Sequence, residues 1–72
     1  MPTLAFALDG DYIELKSLLK LTDLVSSGGE AKVVIDDGQV TVDGAVETRK
    51  ACKVRAGQVV SFAGTTIIVE AA

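Results

Sequence analysis

Residues 27–44 read SGGEAKVVIDDGQVTVDG, and along this stretch helical spacing gives way to strand alternation. Ser27 stands three residues before Glu30, the spacing of a capping box, so a helix is predicted to begin here and to run to about residue 37. Gly38 suits the position that closes a helix, where the backbone adopts the left-handed conformation. Asp43-Gly44 is typical of a two-residue β-hairpin turn, because both residues tolerate positive φ. The stretch therefore predicts a helix followed directly by a hairpin.

Upstream of this stretch the sequence predicts a strand and a first helix. Apolar and small residues alternate from Thr3 to Leu8, which indicates a short strand. Asp11 and Glu14 form a second capping-box pattern, so the first helix is expected from about Tyr12 to Leu21. Its buried stripe follows the three-and-four spacing of a helix and consists of Leu15, Leu18 and Leu19.

Downstream of the stretch the apolar residues recur at every second position. Residues 39–42 and 45–48 flank the predicted turn, and further short strands follow that are marked by Val54, Val59, Phe62, Ile67 and Val69. Segregated helices and strands of this kind predict an α+β fold with an antiparallel sheet. The length of 72 residues suits a single domain spanning residues 1–72.

The composition limits the compartment and the oligomeric state. The hydrophobic fraction of 49% is high enough for a folded core, yet no apolar run approaches the roughly 20 residues that a membrane span requires. There is no basic, apolar leader at the N-terminus, and Cys52 is the single cysteine. We therefore expect a cytoplasmic protein that does not bind membranes. No heptad pattern is present, which favours a monomer.

Positive charge is concentrated in one segment of an acidic chain. The net charge is −3, but residues 49–55 carry four of the seven cations and no acid, which leaves −7 on the rest. Such a distribution predicts one basic spot on an acidic body. The alternative is that residues 49–55 form a solvated loop followed by an exposed strand face. The four cations are Arg49, Lys50, Lys53 and Arg55.

Most catalytic arrangements are excluded by residue types alone. The chain has no histidine, so Ser-His and Cys-His pairs and histidine metal sites cannot form. We expect no enzymatic activity, cofactor, metal or small-molecule substrate. One redox hypothesis remains, because nearby cations would lower the pKa of Cys52 and make it a thiolate. The alternative is a half-buried structural thiol.

Gly28 and Gly29 occupy the first turn of the second predicted helix, where glycine lowers helix stability. Two explanations are open: close packing against the first helix, or anion binding on bare amides.

Together these residues resemble a known family, the S4-type RNA-binding domain, also called the alpha-L motif. The resemblance extends from Phe6 to Val69 for its small stand-alone bacterial members of the YbcJ type. One departure is Gly28, at a position where many members of the wider family carry arginine. The family signature is matched by Ser27, Ala31, Ile35, Gly38, Val40, Val42, Asp43 and Gly44.

The resemblance implies two adjacent helices packed on a small antiparallel sheet, and non-catalytic binding of structured RNA. We expect ribosomal or transfer RNA as the partner, in association with ribosomes, and the sequence leaves messenger RNA open. The family fold would bring the start of the second helix near the basic segment, where Arg49 could bind phosphate bidentately. Arg55 could instead pair with Glu47. The expected RNA-binding residues are Lys16, Lys20, Gly28, Gly29, Lys32, Arg49, Lys50, Lys53 and Arg55.

A protein-binding adaptor without RNA is the main alternative function. Small sheets bind peptides along an exposed edge, and the strand predicted near Thr66 to Glu70 could provide one.

Overall fold

The computed structural model describes residues 2–72, and within that range it contains two helices and seven strands. The helices are adjacent in the sequence and lie between two groups of strands, as expected for an α+β chain. The elements are β1 (Thr3–Leu8), β2 (Ile13–Glu14), α1 (Leu15–Leu21), α2 (Gly28–Asp36), β3 (Val40–Val42), β4 (Ala45–Val46), β5 (Lys53–Val54), β6 (Val59–Phe62) and β7 (Thr65–Ala71).

The larger sheet has the strand order β1-β7-β6-β3-β4, and β2 pairs separately with β5. Four of the five strand pairs are antiparallel, but β1 runs parallel to β7, from Thr3 opposite Thr66 to Leu8 opposite Ala71. The sheet is therefore mixed rather than wholly antiparallel. A tight turn forces antiparallel pairing, whereas β1 and β7 are joined by nearly the whole chain, which leaves their relative direction free.

The position of β7 removes the edge on which the adaptor alternative relied. Residues 66–70 lie inside the sheet, because β7 pairs with β1 on one side and with β6 on the other. The prediction of a free sheet edge at Thr66 to Glu70 is thus wrong. β1 and β4 are the outer strands of this sheet instead.

The core is a single apolar cluster to which both helices and the larger sheet contribute. The predicted stripe of α1 is confirmed, since Leu15, Leu18 and Leu19 are fully buried. Residues four apart on α2, Ala31 and Ile35, are also fully buried. Strands β3, β5, β6 and β7 add buried residues, which include Val40, Val54, Val60, Ile67 and Val69. No helix within residues 2–72 is long and apolar enough to cross a membrane.

The start of α1 differs from the prediction. The helix begins at Leu15 rather than Tyr12, and Ile13–Glu14 forms β2 against Lys53–Val54. The main-chain amides of Leu15 and Lys16 donate to the carbonyl oxygens of Cys52 and Lys50, at 2.9 and 3.1 Å. A cap supplied from the basic segment therefore replaces the local cap expected from Asp11.

The start of α2 follows the sequence more closely. Ser27 is the N-cap, and its hydroxyl oxygen accepts from the Glu30 amide at 3.2 Å. The Glu30 carboxylate accepts from the amide and hydroxyl of Ser26, one residue before the expected partner. Gly38 (φ 77°) closes the helix, and Asp43 and Gly44 have the positive φ values, 53° and 84°, of the predicted hairpin turn.

Candidate nucleic-acid interface

A cleft of about 370 Å³ lies where α1, the start of α2 and the basic segment meet. Two of its lysines project from α1 one turn apart, a third comes from α2, and a fourth comes from the loop before β5. No carboxylate lines the cleft. We call it the lysine cleft, and its lining residues are Lys16, Ser17, Lys20, Gly28, Gly29, Lys32 and Lys50.

The start of α2 adds to the positive potential of the cleft. The first amides of a helix have no acceptor within the helix and carry the positive end of its dipole. Ser27 satisfies the amide of Glu30, whereas Gly28 and Gly29 precede it, line the cleft and are exposed. Helix amides and lysine side chains together form an arrangement suited to anionic oxygens.

The two glycines are not required for helix packing. A Cβ placed on Gly28 would meet no heavy atom within 4 Å, and one on Gly29 would meet only the Ser27 hydroxyl oxygen at 3.8 Å, an ordinary contact. Close packing against α1 therefore does not explain them. The bare amides of this turn stay accessible to a ligand from the cleft.

The basic segment is divided between two surfaces rather than gathered in one groove. Lys50 lines the lysine cleft, while Arg49 and Lys53 line a second groove of about 410 Å³ together with Ala51 and Cys52. A turn causes the division, since the Cys52 amide donates to the Arg49 carbonyl at 3.1 Å. The basic segment was expected near the start of the second helix, and of its four cations Lys50 alone lines the cleft with Lys32.

Glu47 pairs with Arg49 and not with Arg55. The Arg49 guanidinium donates through Nε at 2.9 Å and Nη2 at 3.1 Å to the two carboxylate oxygens. These hydrogen bonds, with one from the Arg49 amide, lower the pKa of Glu47 to about 2. The proposed Arg55–Glu47 pair is therefore wrong. The bidentate fork that we assigned to phosphate is occupied by an internal carboxylate.

Tyr12 takes a place that its predicted position at a helix start did not suggest. The residue is about 44% exposed, and its ring lies beside two cations. Lys53 Nζ is 5.1 Å and Arg55 Cζ is 5.9 Å from the ring centroid, within cation–π range. The arrangement results from the pairing of Ile13 with Val54, which places the two cations beside Tyr12. A single sequence does not reveal that register.

Cys52 does not have the environment of a reactive thiolate. Partial burial raises its pKa, and a hydrogen bond to Glu47 raises it further, while Arg49 only partly opposes these effects. The hypothesis that neighbouring cations lower the pKa of this thiol is therefore wrong. Within residues 2–72 no cluster of three or more Cys, Asp or Glu side chains could hold a metal ion.

The fold and the lysine cleft define a recognised class. A family model for the S4 domain matches residues 6–70, and the chain belongs to that family. It is 58% identical over 60 residues to YbcJ of Escherichia coli (strain K12), a match that covers 83% of this chain and 86% of YbcJ.

A solved structure of YbcJ and one further relative extend the comparison. The solution structure of Escherichia coli YbcJ, described as an alpha-L motif involved in RNA binding, superposes with a TM-score of 0.67 at 52% identity. That match covers 99% of this chain and 89% of YbcJ. The probable ribosome maturation protein RlbA of Bacillus subtilis (strain 168) is 34% identical over 58 residues, which cover 81% of this chain and 82% of that protein.

Proposed function

We propose that this chain is a non-catalytic protein that binds structured RNA through the lysine cleft, defined by Lys16, Lys20, Lys32 and Lys50 with the first turn of α2. The observation that carries the proposal is the convergence of four lysines from three separate segments on one cleft without a lining carboxylate. Membership of the S4 family and the description of YbcJ as RNA-binding support it.

The net charge of −3 does not oppose this function. Electrostatic attraction at an ionic strength of 0.15 M decays over roughly 8 Å, so the local charge of a binding site outweighs the total. Four of the seven cations lie in the cleft, and one carboxylate approaches them: Glu14, 3.9 Å from Lys16 Nζ. Both of these side chains are more than 40% exposed, so the pair is easily displaced by a phosphate.

The lining chemistry favours the sugar-phosphate backbone over bases. Lysines bind phosphate as point charges, and the amides of Gly28 and Gly29 can donate to phosphate oxygens. The cleft has no aromatic side chain on which an unstacked base could rest. Recognition by shape and backbone is the mode that proteins use for helical RNA. We therefore assign structured RNA, and ribosomal RNA in particular, because one relative is a probable ribosome maturation protein.

The test compares two double variants with the same change in charge. Lys32→Gln/Lys50→Gln removes two cleft lysines, and Lys53→Gln/Arg55→Gln removes two cations beside Tyr12. Binding to hairpin fragments of ribosomal and transfer RNA, and to oligouridine, is measured by fluorescence anisotropy across a salt series. The cleft variant should lower the slope of log affinity against log salt by about 1.4 to 1.8 units, at roughly 0.7–0.9 per lost phosphate contact.

The matched pair separates a site from a general charge effect. Equal losses in both variants would mean that binding follows net charge and that the cleft is not the site. Failure of the wild type to bind any structured RNA at low salt would reject the function. Equal affinity for oligouridine and the hairpins would reject the preference for structured RNA.

A further inference from the structure

One acidic side chain organises the basic segment. The Glu47 carboxylate accepts from Arg49 three times, from the amide at 3.1 Å, from Nε at 2.9 Å and from Nη2 at 3.1 Å. The Glu47 side chain is only 17% exposed, whereas that of Arg49 is 78% exposed. The carboxylate therefore lies inside the turn, and the guanidinium lies over it.

The backbone of Glu47 is fixed to the sheet. Its amide donates to the Val40 carbonyl at 3.0 Å, which anchors it on β3. From this anchor the carboxylate binds Arg49, the first residue of the turn that the Cys52 amide closes on the Arg49 carbonyl. Lys50 lies within this turn, so its backbone position depends on the turn.

The same turn is joined to the other wall of the cleft. The carbonyl oxygens of Lys50 and Cys52 accept from the amides of Lys16 and Leu15 at the start of α1. A continuous chain of hydrogen bonds thus runs from β3 through Glu47 and the turn to α1. These bonds fix the backbone of Lys50 against that of Lys16, and both lysines line the cleft.

We propose that Glu47 is a positioning residue of the RNA interface, which holds the 49–52 turn so that Lys50 projects into the lysine cleft. This inference rests on the proposed function. It assigns a role in RNA binding to an acid that has no contact with the cleft itself. The negative charge of Glu47 is neutralised by Arg49, so it costs the interface little attraction for phosphate.

The direction of one mutational effect distinguishes positioning from simple electrostatics. If Glu47 acted only through its charge, its neutralisation would strengthen RNA binding, because one acid beside a basic surface would be gone. If it holds the turn, Glu47→Gln weakens binding, because a carboxamide cannot accept both guanidinium bonds. The matched control is Glu14→Gln, which makes the same chemical change beside Lys16 without touching the turn.

The experiment measures RNA affinity and turn order on the full chain. We expect Glu47→Gln to weaken binding of a structured RNA by about fivefold, the order of one lost hydrogen bond, and Glu14→Gln to leave it unchanged or raise it slightly. Glu47→Asp keeps the charge but shortens the side chain, and it should also weaken binding. In NMR spectra, Glu47→Gln should shift the Arg49 Nε–Hε signal and speed hydrogen exchange at the Leu15 and Lys16 amides.

The outcomes separate this inference from the function on which it rests. Increased affinity in Glu47→Gln, or equal effects of the two glutamine variants, would overturn the positioning role. An unchanged Arg49 signal and unchanged amide exchange would overturn it too, even if no RNA bound. Absence of RNA binding by the wild type would instead reject the proposed function, while the NMR comparison still decided whether Glu47 orders the turn.

Discussion

Helix α1 begins with two amides bonded to distant carbonyl oxygens, whereas α2 begins with two glycine amides exposed at the cleft. The cap of α1 comes from Lys50 and Cys52, and that of α2 from the neighbouring Ser27. An anion can approach a helix start only where the protein has not already satisfied the amides. The closed start thus joins the basic turn to α1, and the open start remains available for a ligand.

The largest effect is expected from loss of the Glu47 carboxylate, which orders the turn that caps α1. The pKa of Glu47 is about 2, below its ordinary value of 4.5. A depressed pKa means that the carboxylate stabilises the fold fully above pH 4.5, and that this contribution disappears as the pH falls towards 2. Urea unfolding should therefore show Glu47→Gln well below the wild type at pH 7, with the gap closing between pH 5 and 2.

Asp43 complicates that comparison only slightly. Its pKa is also lowered, by hydrogen bonds from the Val59 amide and the Gln58 side chain, but it titrates in both proteins and cancels from the difference. A gap that stayed constant across this pH range would show that Glu47 stabilises the fold by packing rather than as a charged acceptor.

A smaller effect separates the local cap of α2 from the false capping pattern before α1. Ser27→Ala should lower the free energy of unfolding by about 1 kcal/mol, because its hydroxyl accepts from Glu30. Asp11→Ala should change it by less than about 0.5 kcal/mol, because α1 begins at Leu15 and Asp11 is exposed. Equal losses in urea unfolding would mean that Asp11 caps the helix in solution after all.

The difference between the two helix starts also explains what could be predicted from sequence. Residues 27–44 were predictable because each signal acts within a few residues: the Ser27 cap, the Gly38 closure and the Asp43-Gly44 turn. The start of α1 was not, because its acceptors lie more than thirty residues further along. Here the Asp11 pattern was locally plausible, but pairing of β2 with β5 prevailed.

The residues of the candidate site also differ in how far the sequence predicts their positions. Four of the expected RNA-binding lysines line the cleft: Lys16, Lys20, Lys32 and Lys50. Lys53 and Arg55 could not be separated from Lys50 by sequence, because the turn at residues 49–52 depends on Glu47. The parallel pairing of β1 with β7 could not be predicted from the sequence either, since no local signal sets the direction of strands so far apart along the chain.

A stabilising substitution tests the function of the exposed start of α2. Gly28→Ala has room for its methyl group, and alanine favours the helix, so the fold should gain up to about 0.5–1 kcal/mol. The methyl group would nevertheless occupy the cleft beside the amides, so RNA affinity should fall.

Ala45→Gly, at an exposed position away from the cleft, is a control that should leave RNA affinity unchanged. A Gly28→Ala variant that is more stable and binds RNA as well as the wild type would show that phosphates do not approach this turn. The lysines alone would then account for binding.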